Sequence, residues 1–121
     1  MVHSPPHMTQ ILHIDPKFPD PQEIATAAGP ILEGDVIAYP TETIYGLGAD
    51  VFNKKAVKKI FDFKARDYGL PISILVSSQR MLEEIVIHVS EQAKVLMRRF
   101  WPGPLTILFE VKESFPKTLV T

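Results

Sequence analysis

The sequence predicts an α/β fold in which a twisted mixed sheet is flanked by helices. Three observations lead to it. Four short runs have the length and apolar content of strands, amphipathic stripes at helical spacing lie between them, and the stripes follow residues suited to helix capping. A chain of 121 residues with 45% hydrophobic and 22% charged residues has ordinary globular composition. At this size it should bury roughly two thirds of the surface its unfolded form exposes.

The first strand is expected in TQILHIDP, where Ile11 and His13 alternate with Leu12 and Ile14 before Asp15-Pro16. A proline-rich connector follows. Asp20 then stands as an N-cap, with Pro21 at the first helical position and Glu23 behind it. The spacing of Ile24, Ala27, Ala28, Ile31 and Leu32 predicts a helix over about 21–33, with a kink near Thr26 to Pro30 and a stop at Gly34. Val36 to Tyr39 reads as the second strand. Asn53 caps a second helix with the apolar stripe Ala56, Val57, Ile60 and Phe61, and Lys54, Lys55, Lys58 and Lys59 form its solvated side. The run Ile72 to Val76 suits a buried strand. Ser77 or Ser78 caps a short helix through Glu84, and Ser90 caps a longer one with the stripe Ala93, Leu96, Met97 and Phe100. Trp101 to Pro104 is a rigid turn, with Trp101 a core or turn anchor, and Leu105, Ile107, Phe109 and Val111 alternate as the last strand.

Composition narrows the chemistry. Thirteen Lys and Arg against fourteen Asp and Glu give a net charge of -1, so a basic site has to be local. The absence of cysteine removes disulfides, thiolate catalysis and Cys-ligated metals. With no apolar run of membrane-spanning length and no signal-like leader, the sequence reads as a cytoplasmic protein without a membrane partner. Residues 1–7 read as a vector-derived leader before Met8, which sets aside His3 and His7; residues 8–121 form the domain. His88 has no second ligand at metal spacing and reads as a partly buried structural histidine.

Two stretches could carry chemistry. In PTETIYGLG, Pro40 to Gly48, Thr41 and Thr43 offer hydroxyls on one face if extended, Tyr45 offers a ring and a hydroxyl, and Gly46 and Gly48 permit close backbone approach. A strand followed by a glycine turn with solvent-facing threonines explains the same residues. In FKARDYGLP, Lys64 and Arg66 stand where the chain leaves a helix; extended, they point the same way and make a two-cation clamp for a polyphosphate. Two ordinary surface cations are the alternative.

Taken together, YPTETIYGLGAD, AVKKIFDFKAR and FWPGPLTILFE resemble, in this order and at similar separations, the YrdC-like domain of threonylcarbamoyl-adenylate synthases. The resemblance runs from about Ile11 to Thr121. It implies an open α/β fold whose twisted sheet surrounds a basic cavity, and an enzyme that joins L-threonine, bicarbonate and ATP into threonylcarbamoyl-adenylate and pyrophosphate for transfer RNA modification. By matching position, Thr41 contacts threonine, Tyr45 lines the same pocket, and Lys64 and Arg66 hold the triphosphate of ATP, which brings its own Mg2+. The resemblance assigns no catalytic side chain and no protein-bound metal.

The chain departs from that pattern in places. Asp67 and Leu75 stand where many members have a proline and a histidine, which leaves room for a relative acting on another substrate, as the hydrogenase-maturation carbamoyltransferases do. The sequence stops at KTLVT, where members continue with further strands and a Ser-Ala-Asn segment. The expectation is therefore a partial YrdC-like domain with its C-terminal strands missing and a sheet edge open to homodimerisation. A non-catalytic module binding transfer RNA or double-stranded RNA through Lys54 to Lys59, and a folded remnant that makes no product, are the competing readings.

Overall fold

The computed structural model describes residues 9–65 and 71–117. The leader expected over residues 1–7 and the positions Arg66 and Asp67 lie outside the described residues. The elements run α1 (Pro21–Leu32), β1 (Ile37–Tyr39), β2 (Gly46–Gly48), α2 (Lys54–Lys64), α3 (Gln79–Ile85) and α4 (Glu91–Phe100), an α/β arrangement.

Each helix begins on a side-chain cap that removes one orphan amide of the first turn. Asp20 accepts from the Gln22 amide at 2.9 Å, Asn53 from Ala56 at 3.1 Å, Ser78 from Met81 at 3.1 Å and Ser90 from Ala93 at 3.1 Å. Helix α1 continues through Pro30 and ends in a left-handed turn at Gly34, φ 84°. There the Asp35 amide reaches back to the Pro30 carbonyl at 2.8 Å and the Gly34 amide to Ile31 at 3.1 Å. This pair of bonds satisfies the last carbonyls of the helix and turns the chain into β1.

Strands β1 and β2 pair antiparallel, with Ile37 opposite Gly48 and Tyr39 opposite Gly46. The core lies further along the chain. Val57 and Phe61 of α2, Leu82 and Ile85 of α3, Ala93 and Met97 of α4, with Val86, Val89 and Phe115, form one buried apolar cluster. The α2 stripe is as its spacing predicts. In α4 only Ala93 and Met97 of the predicted stripe are buried, while Leu96 and Phe100 remain exposed.

Three runs expected as strands are not paired as strands. Ile11 to Ile14 is irregular and largely exposed. Ile72, Ile74 and Val76 lean on the core while Leu75 is 71% exposed, so that run is half-buried rather than buried. Leu105 to Val111 alternates in the same way, with one bridge, Val86 to Val111. A strand is defined by a neighbour, and period-two alternation supplies only one of its faces. His88 is exposed rather than partly buried, because the buried positions around it are Val86 and Val89. Trp101 anchors the turn as expected: half-buried against the core, it donates from Nε1 to the Leu105 carbonyl at 2.8 Å.

Candidate functional site

The PTETIYGLG stretch is a hairpin. Its first residues form the connection between β1 and β2, and its two glycines lie in β2. The space above those glycines is already occupied by protein. Tyr39 and Ile37 share a face with Gly46 and Gly48, and a Cβ at Gly48 would lie 2.8 Å from Tyr39 Cε1. The glycines thus let the Tyr39 ring lie flat across the neighbouring strand, a close approach that any larger side chain would block.

Thr41 organises the loop. Its hydroxyl donates to the Ile44 carbonyl, accepts from the Thr43 amide at 3.3 Å, and lies 3.4 Å from the Thr43 hydroxyl. The two threonine hydroxyls are therefore side by side, as an extended backbone would also place them, but here a turn brings them together. Ile44 and Tyr45 project outwards, 77% and 74% exposed. Thr41, Thr43, Ile44 and Tyr45 are thus all exposed on one loop that carries hydroxyls, a ring and an apolar side chain.

Lys64 is the last residue of α2, exposed, and followed by Ala65 in the left-handed conformation, φ 49°. The chain thus leaves the helix one residue after Lys64, and the extended clamp geometry expected for Lys64 and Arg66 falls partly on residues outside the description. Among the described residues Lys64 has no ion pair and no hydrogen bond to the Thr41 loop. Its neighbours on α2 differ. Lys58 pairs with Asp62 at 2.6 Å, and Lys59 with Asp35 at 2.9 Å. The lysine stripe is thus partly neutralised from within.

Sequence reasoning passed over Lys59 as part of a solvated face. Its Nζ also donates to the Gly34 carbonyl at 3.2 Å, tying α2 to the turn that launches β1. Its partners lie 24 and 25 residues away, so no local pattern could reveal them.

These features define an α/β domain with a hydroxyl-rich hairpin at one side and an exposed cation at the end of an adjoining helix. The family model for Sua5, YciO and YrdC proteins, described as telomere recombination, matches residues 30–121, and the chain belongs to that family. Threonylcarbamoyl-AMP synthase of Pyrococcus abyssi is 40% identical over 112 residues, 93% of this chain and 33% of that protein. The Bacillus subtilis threonylcarbamoyl-AMP synthase is 46% identical over 102 residues, 84% of this chain and 29% of its own length. The crystal structure of P. abyssi Sua5 in complex with L-threonine superposes with a TM-score of 0.79 at 41% identity, covering 84% of this chain and 30% of the other. The chain thus spans about a third of the length of these relatives.

Proposed function

We propose that this chain supplies part of a site that forms threonylcarbamoyl-adenylate from L-threonine, bicarbonate and ATP, the activated intermediate for threonylcarbamoylation of transfer RNA. The observation that carries the proposal is the exposed loop of Thr41, Thr43 and Tyr45 within a backbone that follows a relative solved with L-threonine. Threonine offers an ammonium, a carboxylate and a hydroxyl, and paired threonine hydroxyls with a phenol can match such a ligand by short hydrogen bonds.

The chemistry needs positioning more than it needs a nucleophile. Bicarbonate, by loss of hydroxide that the amine proton neutralises to water, supplies CO2, to which the threonine amine adds; a carbamate oxygen then attacks the α-phosphorus of ATP in line, and the bond to pyrophosphate breaks. Lys64 and Arg66 are suited to neutralise the triphosphate as charge moves to the leaving group, alongside the Mg2+ that ATP carries. Pyrophosphate release is expected only with ATP, bicarbonate and L-threonine together. Lys64→Ala or Arg66→Ala should lower it by about tenfold or more, the scale of one lost charge-assisted contact. Release that is indifferent to threonine would remove threonine as the substrate.

One observation also favours association of two copies. The outward faces of two extended runs carry Leu75 and Leu108, the latter 94% exposed, and exposed apolar residues beside extended backbone can recruit a second chain.

A further inference from the structure

The two parts of the proposed site belong to different structural units. Among the described residues none before Val51 joins the apolar cluster, and Ala56 and Ile60 of α2 are buried outside it. Lys64, in contrast, ends a helix whose Val57 and Phe61 are in it. What joins the units lies between Gly34 and α2. Gly34 is the buried residue of the N-terminal unit, and it fits against the side chain of Asn53: a Cβ there would meet Asn53 Nδ2 at 2.7 Å. Asn53 is at the same time the cap of α2. One turn and a half further along, Lys59 holds the Gly34 carbonyl and the Asp35 carboxylate.

We infer that Lys59 and Asn53 form a latch on the Gly34-Asp35 turn that fixes the orientation of the Thr41 loop relative to Lys64. Lys59 and Asn53 are positioning residues, and the inference rests on the reading that loop and lysine serve one site. The lever is long. Six residues separate Asp35 from Thr41, up to ~20 Å of extended chain, so a rotation of ~10° at the latch swings the loop by ~3 Å. Displacements of that order are ruinous for in-line chemistry. An exposed ion pair adds little to stability, yet two contacts from one ammonium restrict how the Gly34-Asp35 turn sits on α2.

The absence of cysteine allows a direct test in the full chain. Spin labels at I44C and F63C, both at highly exposed positions, report the distance between loop and helix. A single narrow distribution is expected in the parent. Lys59→Met and Asp35→Asn should each broaden it at least twofold, and Lys59→Arg, which keeps the donors, should keep it narrow. Asp35 lies outside α2, and the contact that Asp35→Asn and Lys59→Met both alter is the one that forms the latch. A broad parent distribution, or one unchanged by Asp35→Asn, overturns the proposal.

Calorimetry on the unlabelled proteins separates the latch from the functional reading. ATP and L-threonine should bind the Asp35→Asn chain singly as they bind the parent, while any gain in affinity for one caused by the other is lost. A parent that binds neither ligand counts against the function and leaves the distance result to decide the latch.

Discussion

At Gly34 the backbone and the packing impose the same requirement. A left-handed φ of 84° and an Asn53 amide 2.7 Å from any Cβ both exclude a side chain. Gly34→Ala should cost about 1–3 kcal/mol, read as a lower urea midpoint with an unchanged slope. Gly48 answers to packing alone, since its constraint is the Tyr39 ring. Gly48→Val should displace that ring and lower the thermal midpoint, while Gly29→Ala, with nothing within 4 Å of the added atom, should raise stability slightly. Thr41 is where local order and ligand chemistry meet. Thr41→Ser keeps the hydroxyl that holds Ile44 and Thr43, whereas Thr41→Val removes it; calorimetry should find L-threonine binding retained in the first and lost in the second.

The four helices were legible because their stabilising bonds are local. Asp20, Asn53 and Ser90 cap the helices that their positions predict, Ser78 is the one of two candidate serines that caps α3, and the stripe of α2 is buried as read. Replacing Asn53 by Ala should cost about 1 kcal/mol through the lost cap, measurable by denaturant titration. The strands were not legible to the same degree. Ile72 to Val76 and Leu105 to Val111 have strand alternation, but alternation says which face is apolar and nothing about which segment lies alongside. The hairpin shows the reverse case. Gly46 to Gly48 has no strand propensity, yet it pairs with Ile37 to Tyr39 because the Thr41 turn folds it back.

For the whole molecule, surface area is the informative quantity. Leu75 is 71% and Leu108 94% exposed, on the outward faces of two extended runs. Sedimentation velocity should therefore show concentration-dependent association, and Leu108→Lys should weaken it by placing a charge on the exposed edge. A chain that stays monomeric at high concentration would dismiss the edge as an interface. Among the described residues no helix is long and apolar enough to cross a membrane.

By itself the sequence determined the helices, their caps, the apolar stripe of α2 and the α/β class, because those follow from short-range periodicity. The resemblance carried by PTETIYGLGAD and its companion stretches pointed to the family. Only the tertiary structure decided that Tyr39 fills the space over Gly46 and Gly48, that Thr41 ties its own loop, and that Lys59 clasps Gly34 and Asp35. The physical reason is separation along the chain. Contacts between residues about 24 apart leave no period in the sequence, and a lysine that fixes an angle reads the same as one that only meets water.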